Sequence, residues 1–201
     1  MSQDIRICFI GDSFVNGTGD RTYLGWTGRL CLGLAERGLA VTYYNLGVRR
    51  DTSVDIAHRW ERETATRLPQ DCDNRIVFSF GTNDTTLENE RQRVPMPNAL
   101  QSCRQILKSA QDQYPVLLIG PPPIADSAQN TRTRDLSERF SELCADLNVP
   151  YLDIFTPLSQ STAWQEAVEA GDGAHPGAEG YGAIAHLIQA WPTWKQWFDA
   201  P

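Results

Sequence analysis

The chain has 201 residues, which is enough for one well-packed domain and few for two. Hydrophobic residues make up 41% of the chain and charged residues 21%, a composition that excludes a disordered polymer. The formal net charge of −7 argues against a nucleic-acid partner, which requires a basic surface, and against docking on anionic membranes. We therefore expect residues 1–201 to form a single globular domain.

The elements begin with a buried strand at residues 5–10, followed by Gly-Asp-Ser-Phe and a glycine-bearing loop. Next come a helix at residues 24–37, a strand at 41–46 and a helix at 53–68, for which residues 51–53 offer capping side chains. The second half continues in the same alternation: a strand at 75–80, a helix through 100–110, a strand at 116–119, a helix through 136–147, a strand at 149–154 and a helix through 181–191, which Pro192 should end.

This alternation of strands and helices predicts a three-layer α/β/α fold: a doubly wound parallel sheet of about five strands with helices on both faces. Residues 85–97, 121–131 and 155–171 are expected to be loops that shape a pocket. The aromatic end of the chain, residues 191–198, is expected to pack on the domain, with a dimer contact or a lipid contact as alternatives.

The five cysteines predict neither a disulfide framework nor a zinc site, because their number is odd, their spacing is wide and no C-x-x-C occurs. We expect Cys103 and Cys144 to pack as small hydrophobic residues. The first ten residues do not resemble a secretory leader, and no apolar run is long enough to span a bilayer. Together with free thiols, these features favour a cytoplasmic protein without a transmembrane segment; homo-oligomerisation is left open.

Polar residues follow three of the predicted strands at the point where each strand ends. Ser13 follows the first strand, Gly47 the second and Asn83 the third. In an open parallel sheet the loops after the strands' carboxyl ends surround the ligand crevice, so these residues should share one edge. The chemistry that they favour is nucleophilic attack by Ser13, which needs a base to remove its proton.

Three histidines compete for the role of base. His58 and His186 are offset from the apolar stripes of their helices, which places them on solvent faces. His175 instead stands in a glycine-rich loop without apolar periodicity, and Asp172, three residues earlier, can fold back to hold its imidazole. We predict a triad of Ser13, His175 and Asp172, with the Ser13 backbone N–H, Gly47 and the Asn83 amide as donors to an oxyanion.

Four segments resemble, in order, the conserved blocks of the SGNH or GDSL hydrolases: Gly-Asp-Ser at 11–13, Asn-Leu-Gly at 45–47, Gly-Thr-Asn-Asp at 81–84 and Asp-Gly-Ala-His-Pro at 172–176. The resemblance implies a flavodoxin-like fold, hydrolysis of small ester substrates and no metal or organic cofactor. It also implies the same roles for the triad and oxyanion residues. Phe14 stands where the family often has leucine, and Arg49 and Arg50 occupy a segment in which relatives commonly carry a second small residue, so this pair is expected at the pocket mouth.

Each motif alone has a plainer interpretation. Ser13 could be only a helix cap, Gly47 could only end a strand, and Asp172 with Gly173 could be an ordinary turn. Asp12 is interpreted as structural, and Asp84 as a residue that braces the Asn83 loop. Two functional alternatives are a metal-dependent phosphoesterase, for which the histidines are few, and a binding module without turnover. A P-loop is disfavoured because residues 11–20 lack the Gly-Lys-Ser/Thr ending.

Overall fold

The computed structural model describes residues 4–198. Its strands are β1 (Ile5–Gly11), β2 (Val41–Gly47), β3 (Asp73–Ser79), β4 (Leu87–Glu88), β5 (Arg91–Gln92), β6 (Val116–Ile119) and β7 (Tyr151–Leu152). Its helices are α1 (Ser13–Asn16), α2 (Gly25–Glu36), α3 (Ser53–Ala65), α4 (Met96–Gln111), α5 (Ser127–Leu147), α6 (Phe155–Ser159), α7 (Thr162–Glu169), α8 (Ala178–Ala190) and α9 (Pro192–Gln196).

The main sheet has five parallel strands in the order β2-β1-β3-β6-β7, which confirms the predicted α/β class. β1 is central and pairs along its full length with β2 on one side and β3 on the other. The strand order therefore reverses between β1 and β3, and a crevice forms at such a reversal outside the carboxyl ends of the strands. Ser13 lies directly after β1, at this position.

Two hydrophobic cores lie on opposite faces of the sheet. Alternate residues of β1 point to opposite faces because the side-chain period of a strand is two: Ile7 and Phe9 belong to one core, and Cys8 and Ile10 to the other. The first core is covered by α1, α2, α6, α7, α8 and α9, and the second by α3, α4 and α5. All four β1 residues are fully buried, so both layers hold the strand that leads to Ser13.

The structure differs from the prediction in the last strand and in the segments expected to be loops. The last strand is only Tyr151–Leu152, rather than residues 149–154, because two residues alone pair with β6. The expected pocket loop at 155–171 contains α6 and α7, whose Phe155, Trp164 and Val168 are buried. The expected loop at 85–97 carries the β4–β5 hairpin. The helices α6 and α7 were not predicted because they are short and lie in a segment rich in polar residues.

The end of the chain packs on the domain, as predicted for its described part. Pro192 follows the end of α8 and begins α9 rather than a coil. Trp194 and Phe198 are buried in the first core, and Arg75 of β3 lies over the Phe198 ring. Cys103 and Cys144 are buried in the second core, which confirms their packing role. Across residues 4–198, no helix combines the length and the apolar character that a bilayer crossing demands.

Candidate active site

The nucleophile candidate Ser13 begins the one-turn helix α1. Asp12 caps this helix: it is extended, and its Oδ1 accepts the Phe14 N–H at 2.9 Å. The preceding residue must be glycine, because a Cβ on Gly11 would lie 1.9 Å from the Ser79 carbonyl oxygen of β3. β1 can therefore turn sharply into α1, and Ser13 is held with only 5% of its surface exposed.

His175 approaches this serine from the loop before α8. Its Nε2 lies 2.7 Å from Ser13 Oγ, and its Nδ1 lies 2.7 Å from Asp172 Oδ2. A carboxylate at Nδ1 favours the tautomer with its proton there, which leaves Nε2 free to accept a proton from the serine. The three residues predicted as a triad are thus joined by two short hydrogen-bonding contacts.

Asp172 is shaped by its own loop to face the imidazole. Its Oδ1 accepts the backbone N–H groups of Ala174 at 3.0 Å and His175 at 2.8 Å. Partial burial would raise the pKa of Asp172, but these N–H donors and the His175 ring outweigh it and lower the pKa to about 2. Asp172 is therefore a carboxylate at neutral pH and stabilises a positive charge on His175.

Neighbouring groups fix the position of the imidazole. The Phe14 ring packs against the His175 ring with a centroid distance of 5.2 Å. Gly19, at φ +86°, passes close to His175, where a Cβ would lie 3.3 Å from the His175 Cβ. Tyr181 of α8 donates its hydroxyl hydrogen to the Thr18 carbonyl at 2.7 Å, which ties the loop after α1 to the helix after His175.

Gly47 ends β2 against the start of α1. A Cβ at this position would lie 2.2 Å from Asn16 N and 2.7 Å from the Asp12 carbonyl oxygen, so only glycine fits. Its N–H donates to Asn45 Oδ1 at 3.0 Å, while the Asn45 amide donates to the Val15 carbonyl at 2.7 Å. Gly47 lies where the sequence predicts it, but its N–H already has a partner.

Asn83 lies on the other side of the nucleophile, in the loop after β3, and is half-buried. Its Nδ2 donates to the Asp51 carbonyl at 3.0 Å and lies 3.3 Å from Asp12 Oδ2. These two contacts orient the amide at the crevice. Like the Gly47 N–H, the Asn83 amide has intramolecular partners that an oxyanion would have to displace.

Two buried carboxylic acids, Asp84 and Asp12, lie next to Asn83. Asp84 accepts the Ser53 N–H at 3.0 Å and the Ser53 hydroxyl, so it secures the start of α3 rather than Asn83 itself. Burial raises the pKa of Asp84 to about 6 and the pKa of Asp12 to about 7. Asp12 was interpreted from the sequence as structural only, yet its side chain contacts Asn83. Its place beside Ser13 was the only available signal of this role.

Arg59 of α3 is a site residue that the sequence did not reveal. Its Nη2 donates to the Gly11 carbonyl at 2.8 Å, and its Nε pairs with Asp51 Oδ2 at 2.6 Å. It therefore joins the residue before Asp12 to the residue whose carbonyl holds Asn83. No motif marks this arginine, since Gly11 is 48 residues away in the sequence.

The remaining histidines are placed as predicted. His58 and His186 are exposed on α3 and α8. Within residues 4–198, no group of three or more His, Cys, Asp or Glu side chains is arranged to hold a metal ion.

The chain is similar to known proteins in sequence and in structure. The family model of the GDSL-like lipase/acylhydrolase family matches residues 9–183. In sequence, 118 residues match a GDSL esterase/lipase of Arabidopsis thaliana at 26% identity, covering 50% of this chain and 38% of that protein. The chain thus spans less than half the length of this curated relative.

Solved structures show the same fold. A lipase/acylhydrolase from Enterococcus faecalis superposes with a TM-score of 0.75 at 26% identity, over 92% of this chain and 93% of that chain. A member of the lipolytic G-D-S-L family from Veillonella parvula gives a TM-score of 0.78 at 20% identity, over 94% and 98% of the two chains. With the family model covering residues 9–183, this chain belongs to the GDSL-like lipase/acylhydrolase family.

Proposed function

We propose that the protein is a carboxylic ester hydrolase that acts through Ser13, His175 and Asp172. One observation carries the proposal: a hydroxyl, an imidazole and a carboxylate are connected in series by two contacts of 2.7 Å at the sheet's topological switch point. Family membership supports the same chemistry. The proposal treats residues 1–201 as one catalytic domain that acts on a small ester without a cofactor.

The reaction proceeds in two acyl transfers. His175 Nε2 takes the Ser13 proton while Ser13 Oγ attacks the acyl carbon, and Asp172 stabilises the imidazolium that forms. His175 then protonates the leaving alcohol, which departs from the acyl-enzyme. Water, deprotonated by His175, attacks the acyl-enzyme in the same way, and Ser13 recovers its proton as the acid leaves.

The negative charge on the tetrahedral oxygen needs donors. The Ser13 N–H, at the first position of α1, is one, and the helix start favours negative charge. The Asn83 amide is the second, in exchange for its present contact with Asp12. The Gly47 N–H is the third and would exchange its partner Asn45 for the oxyanion.

The experiment that tests this proposal is hydrolysis of para-nitrophenyl esters of increasing acyl length by wild-type protein and by Ser13→Ala. We expect Ser13→Ala to lose roughly a thousandfold or more in turnover with unchanged thermal unfolding. Near-normal turnover by Ser13→Ala would show that another residue is the nucleophile. Wild-type protein inactive on the whole panel would favour the binding-module alternative.

The variant Asn83→Ala tests whether the Asn83 amide stabilises the oxyanion or only contacts the bound substrate. We expect kcat to fall on the order of a hundredfold with little change in KM, because the donor acts on charge that develops only in the transition state. An effect confined to KM would contradict the role. Assays in excess chelator address the phosphoesterase alternative: full activity would remove it.

Two expectations about the whole protein stay predictions. The proposed cytoplasmic location rests on the free thiols. Homo-oligomerisation likewise stays a prediction.

A further inference from the structure

A tight turn at residues 48–51 lies directly beside the nucleophile. The Val48 N–H donates to the Gly11 carbonyl at 2.9 Å, which anchors the turn to the end of β1. The Asp51 N–H donates to the Val48 carbonyl at 3.2 Å and closes the turn. Arg50, the third residue, has φ +70°, a conformation that such turns usually assign to glycine. The turn therefore presents two arginine side chains at the rim of the crevice.

Arg50 is held by contacts with the neighbouring β4–β5 hairpin. Its Nη2 pairs with Glu88 Oε1 at 2.8 Å, and its carbonyl accepts a hydrogen bond from Arg93 Nη1 at 2.8 Å. Arg93 also lies 3.3 Å from Glu88. These contacts direct the Arg50 charge toward β4 and β5 and hold the turn in its strained conformation.

Arg49 has no comparable contact within residues 4–198. It is exposed, and its guanidinium has neither a hydrogen bond nor an ion pair within residues 4–198. Its charge does reach the buried Tyr181 hydroxyl: burial raises the pKa of Tyr181, and Arg49 acts in the opposite direction. The Arg49 charge thus acts on Tyr181, whose hydroxyl donates to the Thr18 carbonyl in the loop after α1.

The carboxylates around the crevice are occupied by other donors. Asp12 binds the Phe14 N–H, Asp51 binds Arg59, Asp172 binds His175, Asp84 binds Ser53 and Asp20 binds Arg29. Arg49 is therefore a cation without an ion-pair partner in the described residues, in a turn that Val48 anchors to Gly11, two residues before Ser13. An arginine without an ion-pair partner at the rim of a crevice is available to bind an anionic group of a ligand.

We propose that Arg49 binds an anionic group of the substrate, so that the preferred substrates are esters carrying a carboxylate or a similar small anion near the scissile bond. The inference rests on the proposed ester hydrolysis at Ser13 and names the substrate class of that site. Arginine suits this task because its planar guanidinium offers two parallel hydrogen bonds to a carboxylate.

The test uses two pairs of esters that differ only in charge. In the first pair the carboxylate is on the acyl part: the mono-para-nitrophenyl ester of glutaric acid and its methyl ester. In the second pair it is on the alcohol part: para-acetoxybenzoate and its methyl ester. We expect wild-type protein to show a higher kcat/KM for the anionic member of at least one pair, and that pair shows which part of the substrate faces Arg49.

Arg49→Gln should lower the ratio of anionic to neutral kcat/KM by about twofold to fivefold, the range for an exposed ion pair. Arg104→Gln on α4 is the charge-matched control, since Arg104 is exposed and makes only a 3.8 Å contact with Asp146. About 0.5 M salt should lower the wild-type ratio and leave the Arg49→Gln ratio almost unaltered, because salt screens exposed charges.

The possible failures are distinguishable. If wild-type protein hydrolyses the esters but Arg49→Gln keeps the wild-type ratio, or if Arg104→Gln lowers it equally, the assignment of Arg49 is wrong and Ser13 chemistry stands. Binding is also measured without turnover. The dissociation constants of mono-para-nitrophenyl glutarate are compared for Ser13→Ala and Ser13→Ala/Arg49→Gln. Weaker binding by the double variant supports the proposal, and equal constants overturn it.

Discussion

Ser13 and His175 are 162 residues apart in the sequence and 2.7 Å apart in the structure. Residue chemistry was enough to select them, because His175 alone among the three histidines lies outside an apolar helical period. Which partners Gly47 and Asn83 contact could not be selected in this way. Those partners, Asn45 and the Asp51 carbonyl, depend on loop conformations that residue types do not determine.

The variant Asp172→Asn tests the role of the Asp172 carboxylate. The substitution keeps the shape but removes the charge that holds the Nδ1 proton of His175, so kcat should fall roughly a hundredfold or more. Folding should change little, because the Asp172 side chain is 55% exposed. Asp135→Asn, on the exposed side of α5, is the matched control and should keep wild-type kcat. Equal kcat values for the two variants would remove Asp172 from the mechanism.

Asp12→Asn tests the buried carboxyl. Burial raises the pKa of Asp12 to about 7, so the folded protein holds this proton more tightly than the unfolded chain, whose aspartates titrate near 4. Stability from the protonated form is present at low pH and is lost as pH rises from about 4 to about 7.

Asparagine cannot ionise, so the free energy of unfolding of Asp12→Asn should fall less across this range, by about 2 kcal/mol or more. Urea unfolding at successive pH values measures the difference. Some slope should remain, since Asp84 has a pKa raised to about 6 for the same reason. An identical slope in the variant and the wild-type protein would show that Asp12 is charged in the folded state.

At the scale of elements, the site depends on how closely β2 approaches α1. Gly47→Ala places a Cβ 2.2 Å from Asn16 N, and this contact is with backbone, which cannot move aside as a side chain could. We expect a loss of stability of about 1–3 kcal/mol and a lower kcat, because α1 carries Ser13. Thermal unfolding and ester hydrolysis measure the two effects.

Gly182→Ala is the matched control for this substitution. Gly182 lies inside α8 with open space around the new Cβ, so alanine should stabilise the protein by roughly 0.5–1 kcal/mol. Should Gly47→Ala behave like Gly182→Ala, the close approach of β2 to α1 would be wrong.

Arg59 connects three elements: α3, the end of β1 and the turn that holds Asn83. Arg59→Met leaves the half-buried Asp51 and Glu63 carboxylates without this cation and should cost roughly 1–3 kcal/mol of stability. As a positioning residue it should also affect kcat more than KM, because the role proposed for Asn83 is to stabilise the transition state. Arg59→Lys should recover part of kcat; a loss of stability with unchanged kcat in Arg59→Met would show a purely structural role.

Elements with a clear apolar run or a regular apolar pattern could be predicted from the sequence. β1, β2 and β6 occur within one residue of their predicted bounds. Thr52, one of the predicted capping residues at 51–53, forms the capping box of α3 with Asp55. β7 was overestimated, because an apolar run does not show where pairing with β6 ends. The helices α6 and α7 were missed, since each buries only a few side chains.

For the whole molecule, the alternation of strands and helices predicted the class of fold, and the covering helices on both faces confirm it. The order β2-β1-β3-β6-β7 could not be predicted, because each strand's sequence is compatible with several neighbours. This order places the ends of β1 and β3 side by side and so brings Ser13 and Asn83 to one crevice.

The central claim is that Ser13 is a nucleophile activated by His175, and covalent labelling measures it most directly. Wild-type protein is treated with a fluorophosphonate, and the product is analysed by intact mass and by peptide mapping. We predict one equivalent of label on Ser13, no label in Ser13→Ala, and at least a hundredfold slower labelling in His175→Ala. Folded wild-type protein that stays unlabelled, or carries its label elsewhere, would contradict the claim.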